Sequence, residues 1–291
     1  MPIRVVESRQ NARVKELRKA FAQPARETPG LVGIEGKKML EEALRSGLRV
    51  RTVFMAQGSE RLLGPLCLAR EIEILVVPRA ILDAALATET PQSVAALVKP
   101  PRWTWEEMLN QSQKKTLIVA LAGIQDPGNL GTILRSAEAF GASGIVSLPG
   151  TVSAWNPKTV RASAGSVFRV PLLAASEKTC LERLQEAGVK VLATTVGDAQ
   201  PADRVDLAGA VALVIGNEGN GVADDLVAKA DGEITIPCPG PVESLNAAVA
   251  ASVLLYEAAR QREAPICKPA DRPQHSSKSL PHAVAHRGVR R

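Results

Sequence analysis

Short apolar runs alternate with stretches of helical spacing along most of the 291 residues, which predicts an α/β protein. In the first part of the chain, the apolar runs predict strands at 31–34, 50–55, 74–77 and 94–98. The helices predicted before and between them lie at 8–21, 37–46, 60–70 and 79–87. Gly47 should end the second of these helices, since glycine readily adopts the left-handed conformation that closes a helix. We therefore expect a small α/β sandwich domain here.

The later part of the chain carries five further apolar runs, which are short and lie between helical segments. They predict strands at 117–122, 144–148, 189–193, 211–215 and 234–236. The helices predicted among them lie at 130–140, 157–162, 178–186, 223–229 and 245–262. Because such runs are typical of parallel strands buried on both faces, we expect a doubly wound α/β sheet. Ligands bind to such sheets beyond the carboxyl ends of the strands.

Paired prolines at Pro100 and Pro101 interrupt both patterns, because proline can continue neither a helix nor a sheet ladder. We accordingly expect one domain over 1–103 and a second over 104–263. Residues 264–291 contain four prolines and all three histidines of the chain, with too little apolar material to pack. They predict a disordered basic tail, which either attracts phosphates loosely or is only a solubilising extension.

Net charge differs between these three parts. Lys and Arg exceed Asp and Glu by 17 to 11 in 1–103 and by 6 to 1 in 264–291, but number 13 against 18 in 104–263. Such a division of charge is expected when one part of the chain binds a polyanion and another carries out chemistry. Solvated helix faces would, however, give the same distribution of charge. Aromatic residues make up only 3% of the chain, so recognition of nucleic acid by aromatic stacking is disfavoured.

Several classes of protein are disfavoured by what the sequence lacks. Residues 1–263 contain no histidine, which argues against a Ser/His/Asp triad, a Cys/His pair or a histidine-based metal site in the folded part. The four cysteines stand singly, so we expect no zinc site and no other metal. No segment is long and apolar enough to span a bilayer, and the N-terminus has no apolar signal core. We therefore expect a cytoplasmic protein without membrane contacts.

Three short motifs at predicted strand ends carry the candidate chemistry. The first, 126–137, places Asn129, Gly131 and Arg135 at the start of a helix. Taken alone, Asn129 would be a helix N-cap, and Arg135 would be a solvated side chain paired weakly with Glu138.

The second motif, 216–221, is rich in glycine and follows a strand. It lacks both the glycine spacing of a dinucleotide-binding loop and the lysine of a P-loop. Its Glu218 is either a plain surface carboxylate or a pocket residue. In the third motif, prolines and glycine at 237–241 predict a rigid loop before the last helix. Ser244 is expected to cap that helix, and Asn246 to be a buried amide that needs hydrogen-bond partners.

In this order, the three motifs resemble those of the SpoU (TrmH-like) branch of the SPOUT RNA 2'-O-methyltransferases. The segments 8–17 and 34–37 resemble the substrate-binding domain often attached to that branch. The resemblance implies an L30e-like α/β sandwich domain followed by a trefoil-knotted SPOUT α/β domain with a parallel sheet, an exception to the rule that chains avoid knots. It also implies a homodimer, with methyl transfer from S-adenosyl-L-methionine (SAM) to a ribose 2'-hydroxyl near the interface.

The resemblance also implies roles for particular residues. Arg135 would activate the 2'-hydroxyl, either as a base or by polarising the hydroxyl or binding the adjacent phosphate. The residues expected to orient it or the ribose are Asn129, Glu218, Ser244 and Asn246. The residues whose backbone is expected to hold SAM are Thr195, Gly216, Ile236 and Leu245. The phosphate contacts expected in the first domain are Arg9, Arg13, Lys15, Arg18 and Lys37.

The identity of the RNA stays open at this point. The first domain resembles that of ribosomal-RNA members, which favours ribosomal RNA over transfer RNA. One different function for the same chain is an RNA-binding protein that keeps this fold without catalysis, and the intact motif residues argue against it. Another is a nucleotide-dependent enzyme that uses 216–221 for phosphate, and the missing lysine argues against it.

Overall fold

The computed structural model of the protein describes residues 3–22, 30–64, 66, 68–86, 88–109, 115–242 and 244–262. These residues form two β-sheets, one before and one after the predicted domain boundary, and helices cover both faces of each sheet. The tail predicted at 264–291 lies outside the described residues.

The first sheet has five strands in the order β1-β4-β3-β5-β2. The strands are β1 (Ile3–Val5), β2 (Val32–Glu35), β3 (Arg49–Ala56), β4 (Glu73–Val77) and β5 (Val94–Lys99). Its helices are α1 (Ala12–Ala22), α2 (Lys37–Arg45) and α3 (Arg79–Leu86). β5 is antiparallel to β2 and β3, and the other pairs are parallel. Alternation of side chains along β3 sends Phe54 to a core shared with α1 and α3, and Val53 to a core shared with α2.

Two predictions for this domain need correction. The helix predicted at 60–70 is only a single 3-10 turn, Glu60–Leu62, because the following Gly64 and Pro65 disfavour a continued helix. The strand β1 was not predicted, since three residues carry too little pattern, and all three are exposed. Gly47, with φ 71°, follows the end of α2 as expected.

The second sheet has seven parallel strands in the order β10-β12-β9-β11-β6-β7-β8. The strands are β6 (Leu117–Ala122), β7 (Gly144–Ser147), β8 (Leu172–Ala174), β9 (Lys190–Thr194), β10 (Gln200–Pro201), β11 (Val211–Gly216) and β12 (Gly232–Thr235). The helices are α4 (Trp105–Leu109), α5 (Pro127–Ala139), α6 (Pro157–Ala162), α7 (Glu177–Glu186), α8 (Asp224–Val227) and α9 (Ala247–Gln261). The edge strands β8 and β10 were not predicted, because strands of two or three residues carry too little pattern.

The central strands β6 and β11 bring the motifs together. They pair in register, with Gly216 beside Ala122, so the loops that follow both strands leave the sheet at the same edge. Helices α5, α6 and α9 cover one face of this sheet, whereas α4, α7 and α8 cover the other.

The two domains contact one another through the face of the first sheet that carries α2. Arg161 of α6 forms an ion pair with the buried Glu35 at 3.3 Å. Arg169 forms ion pairs with Glu42 of α2, at 3.1 Å, and with Glu138 of α5. The alternative in which Arg135 pairs weakly with Glu138 is thus wrong, because Glu138 pairs with Arg169 instead. These ion pairs and the continuous apolar core beneath them hold the first domain against α5 and α6.

Candidate active site

Asp126 caps the helix that carries the first motif. Its side chain accepts a hydrogen bond from the backbone N–H of Asn129 at 2.8 Å, and Pro127 occupies the first helical turn. The interpretation of Asn129 as the N-cap is thus wrong, because Asp126 already fills that role. The sequence signal for it was present, since an acidic residue before a proline is typical of a helix start. The Asn129 side chain is left available for other contacts.

The Asn129 side chain joins the three motifs. Its Nδ2 donates to Glu218 Oε1 at 2.8 Å, and its Oδ1 accepts from Asn246 Nδ2 at 3.1 Å. Asn246 in turn caps α9, because its Oδ1 accepts from the backbone N–H groups of Ala248 and Val249 at 2.9 and 3.3 Å. The polar chain Glu218–Asn129–Asn246 therefore links residues that lie up to 117 positions apart in sequence.

The direction of every hydrogen bond in this polar chain is determined by its ends. A helix N-terminus offers only N–H donors, so the oxygen of Asn246 must face α9 and its amide nitrogen must face Asn129. An ionised Glu218 can only accept, so the nitrogen of Asn129 must face the carboxylate. Both amides are consequently held in one orientation.

Glu218 is held in its ionised form. Partial burial by itself raises the pKa of Glu218, but hydrogen bonds from Asn129 and from three backbone N–H groups outweigh it and hold the pKa below its ordinary value. Two of those groups belong to Gln125 and Asp126, at 3.3 and 3.4 Å. At neutral pH Glu218 is thus a fixed negative charge that orients its neighbours and is a poor proton acceptor.

Gly216 ends β11 at a point where only glycine fits. A Cβ at this position would lie 2.1 Å from the backbone carbon of Gly221, since the loop folds back onto the end of the strand. Asn217 closes the loop: its Oδ1 accepts from Gly219 N and Asn220 N, and its Nδ2 donates to Gly123 O at 2.8 Å. Asn217 was missed from the sequence, although an asparagine between glycines is typical of a side-chain-closed turn.

The remaining residues predicted to hold SAM lie on loops beyond neighbouring strands. Thr195 follows β9, where its backbone N–H donates to Ile234 O at 3.0 Å, and Ile236 follows the adjacent β12. Leu245 precedes α9 by two residues and is partly buried. Two apolar side chains on the same loops are exposed, Val196 at 73% and Val242 at 57%. The loops combine backbone polar groups with exposed apolar side chains, a composition that suits a nucleoside-bearing ligand such as SAM.

Two catalytic predictions differ from the structure in detail. Ser244 does not cap α9, because Asn246 does, and Ser244 is exposed without a hydrogen bond to another described residue. Asn246 is exposed rather than buried. Arg135 is also exposed, and no described residue forms a hydrogen bond or ion pair with it. Within one chain, hydrogen bonds therefore bring Asn129, Glu218 and Asn246 together, whereas Arg135 and Ser244 form no described hydrogen bond or ion pair with them.

The cations predicted to contact RNA fall into two groups. Arg9, Lys15 and Arg18 are exposed around α1. Arg13 is already paired with Glu16 and Glu73, and its hydrogen bond to Glu16 is the largest cause of a raised pKa. Lys37 pairs with Glu41 at 3.6 Å.

The described residues contain no group of three or more His, Cys, Asp or Glu side chains placed to hold a metal ion. None of the helices in the described ranges is long and apolar enough to cross a membrane. Cys180 is buried, and burial raises the pKa of its thiol to about 12, so it is not a reactive thiolate.

Comparisons with known proteins agree with this architecture. The SpoU rRNA Methylase family matches residues 116–256, and the family described as RNA 2'-O ribose methyltransferase substrate binding matches 34–104. A Bacillus subtilis protein named 23S rRNA (guanosine(2553)-2'-O)-methyltransferase RlmP is 36% identical over 251 residues, which cover 86% of this chain and 97% of the relative. An uncharacterized tRNA/rRNA methyltransferase of Mycolicibacterium vanbaalenii is 36% identical over 242 residues, covering 78% and 76% of the two chains.

Two solved structures extend the comparison to the fold and the cofactor. The AdoMet-bound rRNA methyltransferase from Sinorhizobium meliloti is 31% identical, with a TM-score of 0.76 and coverage of 89% of this chain and 98% of that one. The SpoU methyltransferase AviRb from Streptomyces viridochromogenes, in complex with AdoMet, is 27% identical, with a TM-score of 0.74 and coverage of 87% and 98%.

The fold and the site together define a SAM-dependent RNA 2'-O-methyltransferase. The chain belongs to the SpoU rRNA methylase family. The predicted fold class, an α/β substrate-binding domain followed by a SPOUT methyltransferase domain, is thereby confirmed, as is the predicted enzymatic activity.

Proposed function

We propose that this enzyme transfers the SAM methyl group to a ribose 2'-hydroxyl in 23S ribosomal RNA. The observation that carries the chemistry is the polar chain Glu218–Asn129–Asn246, which joins all three motifs at one edge of the sheet. Ribosomal RNA is supported by the B. subtilis relative, whose name specifies a 23S rRNA guanosine and of which this chain covers 97%.

The protein itself has little chemistry to supply. When bound, SAM supplies an electrophilic methyl group, so the residues of this chain need only hold SAM and the ribose and stabilise the hydroxyl as it loses its proton. We assign SAM binding to the backbone at Thr195, Gly216, Ile236 and Leu245. Asn129 and Asn246, held in one orientation, would place the ribose, and Ser244 lies two residues from Asn246 with its hydroxyl available.

Arg135 would act as a hydrogen-bond donor rather than as a base. A guanidinium has five N–H donors and no acceptor, and Arg135 is exposed with no described hydrogen-bond partner. It would polarise the 2'-hydroxyl or bind the neighbouring phosphate. Because Glu218 is a poor proton acceptor, the proton of the 2'-hydroxyl would pass to a substrate phosphate or to solvent.

A homodimer would place Arg135 at an interface. An apolar groove of about 290 Å³ runs between α5 and α9, and its lining includes Thr132, Val249, Val253 and Tyr256. Val249 and Tyr256 are 48% and 56% exposed, which is unusual for large apolar side chains in one patch. Arg135 lies one helical turn from Thr132, so a second copy covering this groove would also enclose the guanidinium.

The domain division at 103/104 and the cellular location are part of the same proposal. The boundary lies between the last strand of the first sheet and α4. A protein that modifies ribosomal RNA would be found in the cytoplasm, where that RNA is exposed. Arg9, Arg13, Lys15, Arg18 and Lys37 are proposed as phosphate contacts.

The direct test maps 2'-O-methyl groups in ribosomal and transfer RNA from cells with and without this gene. We expect one mark in 23S rRNA to disappear and to return when the purified protein and SAM are added to that RNA. Loss of a mark in transfer RNA instead would replace the proposed substrate. Calorimetry distinguishes a SAM-dependent enzyme from a nucleotide-dependent one: heat of binding with ATP but not with SAM would reject the activity itself.

A further inference from the structure

A second cluster of cations lies on the first domain, around a cavity of about 460 Å³. The cavity is lined by Glu16, Gly30, Leu31, Arg49, Arg51 and Lys99. Arg49 begins β3 and Lys99 ends β5, so both lie at the end of the sheet where the chain leaves for the second domain. Lys37 lies at the opposite end, because it follows β2, which is antiparallel to β5.

Carboxylates in this region are shared between cations and do not neutralise them. Glu73 pairs with Arg4 at 3.8 Å and with Arg13 at 3.1 Å. Glu16 pairs with the same Arg13 at 3.0 Å and with Arg51 at 3.2 Å. Two carboxylates thus serve three arginines, and one positive charge is left over.

Arg49 and Lys99 add two further charges without a described partner. They are directly opposite each other on the antiparallel pair β3–β5, and no described carboxylate lies within ion-pair distance of either. Like charges directly opposite on neighbouring strands destabilise a sheet. An arrangement that costs stability, beside a cavity, is explained if an external anion lies between the two cations.

We propose that these five cations bind phosphate groups of the RNA substrate, at a contact separate from the methylation site. We name them the distal cation row: Arg4, Arg13, Arg49, Arg51 and Lys99. The inference rests on the proposed function only in taking RNA as the ligand. Clustered positive charge at a concave surface concentrates the potential that attracts a polyanion. The described lining of the cavity has no aromatic side chain on which a base could stack. The row would therefore recognise the RNA phosphates and not the base sequence.

The position of the row sets a minimum size for the RNA. Arg49 and Lys99 of the row lie at the end of the first sheet that is remote from Glu35 and Lys37. Glu35 contacts α6, which packs on α5. An RNA must therefore extend well beyond the modified ribose to reach both sites. A long ribosomal RNA fragment satisfies this condition, and a short oligonucleotide around the target does not.

The test compares the double variant Arg49→Gln/Lys99→Gln with the wild-type enzyme in filter binding to a 23S rRNA transcript across a range of salt concentrations. Removing two phosphate contacts should weaken binding roughly tenfold at low salt and lower the slope of log affinity against log salt by about 1.4–1.8. The rate at saturating RNA and the affinity for SAM should not change. Because a cross-strand repulsion is removed, thermal stability should be equal or higher.

The matched control is Lys178→Gln/Arg183→Gln on α7, which covers the opposite face of the second sheet from the first domain and should leave RNA binding unchanged. A second variant gives the opposite sign: Glu16→Gln removes a competing carboxylate and should tighten RNA binding. Unchanged RNA affinity and salt slope in the Arg49/Lys99 variant would overturn the proposal. So would an equal loss with the α7 control. Because binding is measured without methyl transfer, these outcomes are independent of whether 23S rRNA is the methylated substrate.

Discussion

At the scale of single residues, the direction of a hydrogen bond separates an asparagine that only caps a helix from one that also joins the proposed site. Asn246 and Asn156 both cap helices with their side-chain oxygens. Only Asn246 also donates its amide nitrogen to another motif, at Asn129. One side chain thus serves stability through its oxygen and the site through its nitrogen, which makes the two roles separable by substitution.

Asn246→Asp should separate them. Aspartate caps helices as well as asparagine does, and its charge is favourable at a helix N-terminus, so the melting temperature should be kept. The new carboxylate can no longer donate to Asn129 Oδ1 and would repel it, which frees the Asn129 amide to rotate. We expect methyl transfer to fall by about a hundredfold, in the range of other lost positioning contacts. Asn156→Asp is the control, and it should keep both stability and activity. Full activity of Asn246→Asp would refute the role of the polar chain.

Arg135→Lys tests whether methyl transfer depends on the planar arrangement of donors in the guanidinium. Lysine keeps the positive charge but loses the planar pair of donors. Since Arg135 is exposed and has no described partner, folding should be unaffected. The rate constant of methyl transfer in single-turnover assays should fall at least tenfold. Wild-type rates from this variant would show that charge alone is sufficient.

At the scale of elements, two glycines allow backbones to approach closely. Gly131 lets α5 contact α6, because a Cβ there would lie 2.4 Å from the Cβ of Ala162 and 2.8 Å from the carbonyl oxygen of Thr159. The glycine of the first motif is therefore a packing residue, whereas Gly216 shapes the loop that follows β11.

Gly216→Ala should affect both folding and SAM binding. The added methyl group would collide with the backbone of the returning loop, which cannot move aside as a flexible side chain could. Overpacking of this kind costs about 1–3 kcal/mol of unfolding free energy, and any relief of it would displace the loop that we propose contacts SAM. Denaturant unfolding and SAM calorimetry measure the two effects. Gly209→Ala, where nothing lies within 4 Å of the added Cβ, is the control and should unfold like the wild type. If both variants bind SAM equally, Gly216 has no part in the SAM site.

At the scale of the whole molecule, Arg169 links the domains by joining α2 to α5. Its hydrogen bond to Glu138 is the main cause that lowers the pKa of that carboxyl. A lowered folded-state pKa means that the ion pair stabilises the protein above the ordinary glutamate pKa, about 4.3, and that this contribution is lost as the pH falls through the folded-state value.

Arg169→Gln should therefore destabilise the protein most near neutral pH. Its melting temperature should approach that of the wild type as the pH falls below about 4.3. Thermal unfolding from pH 7 down to pH 3 measures the difference. The control, Arg183→Gln, breaks only an exposed pair with Glu186 and should have little effect at any pH. A pH-independent difference for Arg169→Gln would mean that lost packing, not the charge of Glu138, is responsible.

The proposed dimer gives the second prediction at this scale. Val253→Asp places a charge in the α5–α9 groove and should convert the dimer into a monomer in sedimentation experiments, with a parallel loss of activity. Leu62→Asp, at a similarly exposed apolar residue of the first domain, should remain dimeric. A wild-type protein that sediments as a monomer at micromolar concentration would argue against the dimer.

Much of this fold was predictable because its strands are short apolar runs that need no tertiary information to be recognised. The five strands predicted in the second domain are all present, and so is the helix that carries Asn129. The errors have physical causes. A 3-10 turn stands where a helix was predicted at 60–70, and Asp126 and Asn246 cap the helices that Asn129 and Ser244 were expected to cap. Capping depends on which of several neighbouring polar side chains reaches the free N–H groups, and local sequence offers more than one candidate.

The sequence by itself determined the order of the longer strands and helices, the family and the identity of the motif residues, because hydrophobic periodicity and short motifs are local properties. Only the tertiary structure decided which of those residues touch. The contact between Asn129 and Asn246 requires parallel pairing of β6 with β11 and the return of α9 across the same edge. The pairing of Arg169 with Glu138, and the facing like charges of Arg49 and Lys99, similarly depend on distant segments meeting. Such contacts are set by the packing of whole sheets and helices, which no local pattern encodes.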